Sequence, residues 1–534
     1  MTSAAASFPR ERHAGVLLPL FSAASDEGWG IGEIPDLVTL AAWHRRAGLD
    51  FLLMLPVNEL APSGHHSPYA TVSAMAIDPI YLRLADVPDF TAAGGVERLS
   101  AEQRDRLAAV RQSGHVDYDA VREVKEAALH VAFDRFEHER SRRHMARVAD
   151  FATFMEREAD WLDDYVLFRA LRDRFASQPW WDWPDGLSTR QPSALAVARR
   201  SLKREIRFHA YLQWLADAQW QAARAAAGIR LFGDLPFAVG ADSADVWQHQ
   251  EKFDCELSVG TPPDAFSAEG QDWGLPAYRW DCVERDDFGW LRARARRATE
   301  LFDGYRVDHV IGFYRTYVRD TAGVGRFTPE DPEAQKALGR KIMQVFQASG
   351  AAILAEDLGT VPDFLRRSLN ELGVPGYKVF RWERAWKTPG HPFLDPRHYA
   401  ALSVTTTGTH DTESLAEWWD AAPREERVEA LKVPDLAGAG FTPDSPFDDR
   451  LRDALLSAIY RSGANLVVLP LQDIFGWRDR INVPGTVGTE NWTWRLPFPV
   501  GELLRRPDAA ERAAFLHGLA RETGRAPETG RATS

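Results

Sequence analysis

The chain has 534 residues, of which 45% are hydrophobic and 26% charged, and its net charge is −13 at pH 7. This length can bury a large core in one or more domains, whereas the acidic balance argues against nucleic acid or an anionic membrane as a partner. Two cysteines, no apolar leader and no run of 18 apolar residues predict a cytoplasmic protein without a disulfide framework, signal peptide or membrane span.

Short apolar runs recur along the whole chain. In chain order they cover residues 14–21, 49–57, 229–237, 302–311, 351–358, 376–380, 402–408 and 466–472. Most are continuous apolar stretches, which is typical of strands that are buried on both faces of a parallel sheet. We therefore predict eight strands.

Helical periodicity separates most of these runs. The helical segments cover residues 36–48, 329–348, 361–372, 413–432 and 443–462. Residues 119–228 are helical almost throughout, and we predict a helical insertion there because the apolar runs resume directly afterwards. Residues 239–300 are rich in Gly, Pro and aromatics and predict a loop-rich insertion, whereas the small, polar residues 521–534 predict a disordered tail.

Strands that alternate with helices in one chain predict a single (β/α)8 TIM barrel, an α/β fold, spanning residues 1–534. An open, doubly wound sheet is the alternative. However, no G-x-G-x-x-G follows the first strand, so the most common signature of that fold is missing.

Polar side chains stand where several of the predicted strands end, and in such a barrel the carboxyl ends of the strands form the active site. These residues are Asp234, Arg306, Asp308, His309, Glu356, Asp357, His410 and Asp411. Arg306 and Asp308 are two apart, so on an extended strand they share a face, where the cation favours an ionised carboxylate. Acids from three strands that meet at one place destabilise the fold, because they repel each other and lose their hydration. A cluster that carries this cost indicates a functional role.

Several carboxylates beside Arg and His, without Cys ligands, indicate glycoside chemistry, which needs one acid to protonate the leaving oxygen and a second carboxylate at the sugar carbon. Taken alone, Asp411 could instead cap the following helix. A metal site could form from His65 and His66 with His309 and Asp308, but no ligand spacing supports it, so we expect neither a metal nor a cofactor.

The chain resembles the 4-α-glucanotransferases of the amylomaltase type, glycoside hydrolase family 77, over nearly its whole length. The matching motifs, in order, are 14–21 AGVLLPLF, 29–33 WGIGE, 67–69 SPY, 233–237 GDLPF, 242–247 DSADVW, 260–267 GTPPDAFS, 270–274 GQDWG, 306–309 RVDH, 355–359 AEDLG, 408–413 GTHDTE and 482–485 NVPG. The PPDAFS block together with DWG is more specific to this family than the RVDH string.

The resemblance implies a retaining transfer of α-1,4-glucan segments between maltooligosaccharides. It makes Asp308 the nucleophile, Glu356 the general acid/base and Asp411 the stabiliser of the transition state. The side chains that it places around the substrate are Tyr69 as a stacking platform, Asp234, Trp273, Arg306 and His410. Trp273 would lie on the loop over the acceptor side.

The sequence departs from the family pattern at Ala70, where Gln is usual, and at 275–278 (LPAY), where NPLY is common. Both departures are expected in loops, where they would affect acceptor preference. The alternative functions are an α-glucan hydrolase of the same clan, a non-catalytic glucan-binding protein and a nucleotide-sugar transferase. The last is disfavoured because no Gly-rich phosphate loop follows a strand.

Overall fold

The structure, a computed structural model, describes residues 7–60, 66–140, 145–263, 270–486, 488 and 490–527. Within them the strands, numbered in chain order, are β1 His13–Leu17, β2 Phe51–Leu53, β3 Arg230–Leu235, β4 Phe253–Thr261, β5 Gln271–Tyr278, β6 Gly304–Val307, β7 Thr316–Arg319, β8 Gly325–Thr328, β9 Ala352–Ala355, β10 Gly376–Val379, β11 Ser403–Thr406 and β12 Leu466–Pro470.

Eight of these strands pair in parallel and close into a barrel, in the order β1-β12-β11-β10-β9-β6-β3-β2. Seven of them lie within an apolar run, β1 begins one residue before the first run, and all four residues of β6 are buried. Gly304 lets the barrel close tightly, because a Cβ there would lie 2.3 Å from the Phe232 ring. The predicted (β/α)8 barrel is confirmed.

The helices of the described residues, also in chain order, are α1 Asp36–Arg46, α2 Pro88–Ala93, α3 Ala101–Gln112, α4 Tyr118–Arg140, α5 Met145–Arg157, α6 Ala159–Arg174, α7 Asp185–Ser188, α8 Pro192–Ser201, α9 Lys203–Ala227, α10 Ala244–Gln248, α11 Trp280–Arg285, α12 Gly289–Leu301, α13 Val310–Tyr314, α14 Pro332–Gln347, α15 Asp363–Leu372, α16 Leu415–Ala421, α17 Arg424–Ala430, α18 Asp449–Tyr460, α19 Leu471–Phe475 and α20 Pro507–Glu522. The segment predicted as one helix over 413–432 is two helices, α16 and α17, which Pro423 separates because proline has no N–H to donate.

Helices α2 to α9 lie between β2 and β3, and the predicted helical insertion over 119–228 falls within this stretch. Its last helix, α9, also packs on the barrel. The Trp220 indole Nε1 donates a hydrogen bond to the carbonyl of Leu301 at the end of α12, over 2.7 Å. The inserted helices are thus joined to the barrel by buried contacts.

The stretch predicted as loop-rich, 239–300, contains regular structure in its described part. Strands β4 and β5 join β7 and β8 in a four-stranded antiparallel sheet of order β5-β4-β7-β8. The prediction missed these strands because β4 pairs with β5 through two irregularities in register and exposes several of its residues, which obscures an alternating pattern. Residues 264–269 of the predicted insertion lie outside the described residues.

The predicted disordered tail, 521–534, is ordered in its first part, so the prediction is wrong for residues 521–527. Helix α20 continues to Glu522. The guanidinium of Arg525 is fully buried and donates hydrogen bonds to the carbonyls of Ala464 (2.7 Å) and Asn465 (2.6 Å). One buried arginine anchors a segment whose composition is otherwise that of a flexible tail; residues 528–534 lie outside the described residues.

In the part of the chain that the structure describes, none of the helices has the length and apolar character that a membrane span requires.

Candidate active site

The polar residues predicted at the strand ends gather at one end of the barrel. Arg306 lies in β6 opposite Asp234 of β3, since these two residues are register partners. Asp308 and Glu356 each follow their strand by one residue, after β6 and β9, and Asp411 follows β11. The carboxyl ends of parallel strands share one edge, which explains why the side chains meet.

The guanidinium of Arg306 is the centre of this cluster. Its Nη1 donates to Asp234 Oδ2 (2.6 Å) and to Asp308 Oδ1 (2.8 Å), while Nη2 lies 4.0 Å from Glu356 Oε2. Burial alone would lower the pKa of Arg306, but Asp234 and Asp308 raise it well above its ordinary value. The cluster therefore keeps a permanent cation among its carboxylates, as charge-assisted hydrogen bonds require.

Glu356 is held by two backbone donors. Its Oε2 accepts a hydrogen bond from the His309 N–H (2.8 Å), and its Oε1 accepts one from the Leu358 N–H (3.0 Å). His309 has a left-handed backbone (φ +42°), which places its N–H toward β9. Burial, helped by the nearby Asp308 charge, raises the pKa of Glu356 to about 7. Near neutral pH, Glu356 can thus both donate and accept a proton.

Asp234 lies deeper than the other carboxylates. Its side chain is almost fully buried, and this burial raises the pKa of Asp234 to about 6 against the opposing effect of Arg306. The hydroxyl of Tyr69 donates to Asp234 Oδ2 over 2.8 Å. Asp234 therefore holds Arg306 and Tyr69 in place and does not point to the solvent.

A second group surrounds Asp411, whose side chain is 42% exposed at the mouth of the barrel. Its Oδ2 lies 3.2 Å from His410 Nε2, and its Oδ1 accepts a hydrogen bond from Asn482 Nδ2 (2.7 Å). The partial loss of water in the cleft would raise the pKa of Asp411, but His410 and Asn482 outweigh this effect and lower the pKa of Asp411 to about 2. Asp411 is thus a carboxylate with acceptor capacity that faces the cleft.

Tyr69 links the two groups. Besides its bond to Asp234, its hydroxyl lies 3.0 Å from His410 Nε2, and the two rings stack with centroids 5.5 Å apart. One face of the Tyr69 ring is therefore covered by His410. The structure adds a hydrogen-bonding role to the stacking role that the resemblance implies.

Trp273 connects the antiparallel sheet with the site. It lies on β5, and its indole meets the edge of the His309 ring with centroids 4.8 Å apart. Residues 275–278, expected in a loop, belong to the same strand, because Leu275 pairs with Val259 of β4. The departure from the family pattern thus lies in a strand next to Trp273.

Two residues that contact the site were not predicted from the sequence as site residues. Asn482 stands within the motif 482–485 without a predicted role, yet its side chain donates a hydrogen bond to Asp411. The Trp492 ring lies 5.8 Å from that of His410. Both come from the segment after β12, which carries no periodic pattern. The motif 482–485 was the one available signal for Asn482.

Burial of His309 lowers its pKa to about 4, so His309 is neutral near pH 7. Among the residues that the structure describes, no three His, Cys, Asp or Glu side chains are grouped to hold a metal ion. His65, one of the candidate metal ligands, lies outside those residues.

Comparison with known proteins yields consistent matches. The family model described as 4-alpha-glucanotransferase (glycoside hydrolase family 77) matches residues 18–500. The 4-alpha-glucanotransferase of Thermus thermophilus is 36% identical over 499 residues, covering 90% of this chain and 93% of the relative. That of Chlamydia caviae is 32% identical over 509 residues, covering 92% of each chain.

The fold agrees with solved structures as well. The structure of amylomaltase from Streptococcus agalactiae in complex with acarbose superposes with a TM-score of 0.80 at 26% identity, covering 97% of this chain and 100% of that one.

Proposed function

The chain belongs to the 4-alpha-glucanotransferase family, and on this premise we propose that Asp308, Glu356 and Asp411 perform a retaining transfer of α-1,4-glucan segments. Its activity is that of a 4-alpha-glucanotransferase, and the alternative of an α-glucan hydrolase is not favoured by its relatives, which are transferases. The residue roles and the substrates are our proposal. The observation that carries it is the Arg306 guanidinium, which lies within 4.0 Å of both Asp308 and Glu356.

In the first half-reaction, Glu356 gives its proton to the glycosidic oxygen of the donor while Asp308 Oδ bonds to the anomeric carbon. The bond between that carbon and the glycosidic oxygen breaks, and the shortened donor leaves with a new hydroxyl. Glu356 suits this step because its pKa is raised to about 7. This step requires the two carboxyl groups to lie about 5–5.5 Å apart, without room for a water between them.

In the second half-reaction, the 4-hydroxyl of an acceptor glucan attacks the same carbon. Glu356, now a carboxylate, takes the hydroxyl proton, and the bond to Asp308 breaks and restores its carboxylate. Two inversions leave the α configuration unchanged. No cofactor enters either step.

Asp411 is proposed to bind hydroxyls of the reacting sugar, most strongly in the transition state. Its exposure and its two fixed partners, His410 and Asn482, support this role because they orient the carboxylate before the substrate arrives. Four further side chains would contact the same sugar or position the side chains that contact it: Tyr69, Asp234, Arg306 and His410.

The sheet β5-β4-β7-β8 is proposed to cover the acceptor side, so that a sugar hydroxyl reaches the glycosyl-enzyme before water does. The contact of Trp273 with His309 supports this arrangement. The free thiols Cys255 and Cys282 fit a cytoplasmic enzyme of maltodextrin and glycogen metabolism, which is the setting that we propose.

The test of this function is the set of products made from maltotriose. Transfer yields glucose together with oligomers longer than the substrate, because a sugar hydroxyl is the acceptor. Chromatography of a time course measures both, with the Glu356→Gln variant as the blank. Glucose and maltose without longer oligomers would instead identify a hydrolase.

The pH profile provides a further prediction. Because Glu356 must be protonated in the first half-reaction and its pKa is about 7, kcat/KM is expected to fall about tenfold per pH unit above neutral pH. Initial rates with maltotriose from pH 5 to 9 measure this limb, and circular dichroism at each pH controls for unfolding. A rate that stays constant up to pH 9 would contradict the role of Glu356 as the acid.

A further inference from the structure

Two exposed tryptophans lie on the segment that follows β10. Trp382 is 36% exposed and Trp386 is 55% exposed. Indole surface in contact with water is unfavourable, and exposed aromatic groups therefore often indicate a binding surface. The segment begins where β10 ends, which is the same end of the barrel that holds Glu356.

The segment is an ordered hairpin. Its two arms are joined by a bridge between Arg384 and Phe393, and the Ala385 N–H donates to the Pro392 carbonyl (2.9 Å). The hairpin, residues 380–394, thus holds its tryptophans in place before any ligand binds.

The indole of Trp386 is fixed from several sides. Its Nε1 donates to the Trp382 carbonyl (3.1 Å), the Arg384 guanidinium lies 5.1 Å from its ring centroid, and the His391 ring lies at 5.4 Å. Such a ring loses little conformational entropy when a ligand packs on it.

The base of the hairpin is tied to the catalytic segment. Strand β10 lies between β9, which precedes Glu356, and β11, which precedes Asp411. Arg381 donates to the Thr407 carbonyl (3.0 Å) and pairs with Glu413 (2.5 Å). His410 and Asp411 lie between these two anchors in sequence, so the hairpin stands beside the mouth between the proposed acid and the proposed stabiliser.

We propose that Trp386, supported by Trp382, is a stacking platform for the α-glucan acceptor beyond the sugar that meets Glu356. The inference rests on the proposed function, which puts the leaving and the accepting oxygen at Glu356. The C–H faces of glucose units suit a flat indole, and aromatic walls are common in ligand sites. On this placement a single glucose acceptor would not extend to the hairpin, whereas an oligosaccharide would, so the platform would make the enzyme favour long acceptors.

Acceptor competition tests this inference. With one fixed donor, the ratio of kcat/KM for end-labelled maltotetraose to that for labelled glucose is expected to fall about tenfold in Trp386→Ala, equivalent to about 1.4 kcal/mol. Trp386→Phe should recover most of the preference because it keeps a flat ring. The matched control is Trp181→Ala, since Trp181 has a similar exposure, 48%, but lies on the inserted helical region. A ratio in Trp386→Ala within twofold of the wild-type ratio would overturn the proposal.

A binding measurement separates this inference from the proposed function. Calorimetry of maltoheptaose with Glu356→Gln, and with Glu356→Gln combined with Trp386→Ala, reports affinity without turnover. We expect Kd to rise about tenfold with the second substitution. If the double variant binds maltoheptaose more weakly but the wild type makes no transfer products, the platform is sustained and the transferase mechanism is refuted. An unchanged Kd would refute the platform alone.

Discussion

Asp308→Asn is expected to abolish transfer, with kcat/KM reduced on the order of 10⁴–10⁶-fold, as when other covalent nucleophiles are removed. The amide that replaces the carboxylate is too weak a nucleophile to bond to the anomeric carbon. Its size is nearly unchanged, and its oxygen can still accept the hydrogen bond that Arg306 donates over 2.8 Å. Activity should therefore vanish while the fold remains.

Two measurements check this result. Initial rates with maltotriose measure the loss, and mass spectrometry of acid-quenched reactions should detect a glycosyl-enzyme in the wild type and none in the variant. The thermal unfolding midpoint serves as the control for folding. A variant that retains a tenth of the wild-type rate would show that another group attacks the sugar.

Glu356→Gln is the second substitution for which we expect a large loss of activity. The glutamine amide cannot supply the proton for the glycosidic oxygen, and kcat on maltotriose should fall about 10²–10⁴-fold, the usual contribution of general acid catalysis. The loss should be much smaller in the first half-reaction of a maltosyl fluoride donor, because fluoride leaves without protonation. Comparison of the burst rates on the two donors isolates the role of the acid.

The surroundings of Glu356 also predict a change in stability. Both of its oxygens accept backbone N–H groups, from His309 and Leu358, and glutamine offers only one oxygen. One N–H then loses its acceptor, at a cost of about 1–3 kcal/mol. Thermal unfolding of Glu356→Gln and Glu356→Ala measures this cost independently of activity.

For the kinetic prediction on Glu356→Gln, an equal loss of rate on maltosyl fluoride and on maltotriose would contradict the role of Glu356 as the acid.

The strands and the catalytic candidates could be predicted from sequence because both leave local signals. A barrel strand such as β6 is buried on both faces, so its residues are apolar except where the strand ends. Polar residues at such ends, Arg306 and Asp308 among them, can therefore be identified as candidate site residues. The antiparallel strands β4 and β5 gave no such signal, because they are partly exposed and irregular in register.

The order of residues 521–527 was hidden for a different reason. A segment of small and polar residues has little apolar surface to bury, which predicts disorder. Arg525 nevertheless donates hydrogen bonds to carbonyls at the far end of the barrel, 60 and 61 residues away in the chain. No window of local composition contains the acceptors of that side chain.

By itself, the sequence determined the eight barrel strands, helices between most of them and the acids that emerge at the strand ends, because burial on two faces restricts which residues each position accepts. Only the tertiary structure decided how those acids are used. Arg306 binds Asp234 across 72 positions of the chain, Tyr69 meets His410 across 341, and the hairpin with Trp386 stands between Glu356 and Asp411. Such contacts depend on barrel closure and strand register, which bring distant residues within hydrogen-bond reach and leave no periodic trace in the chain.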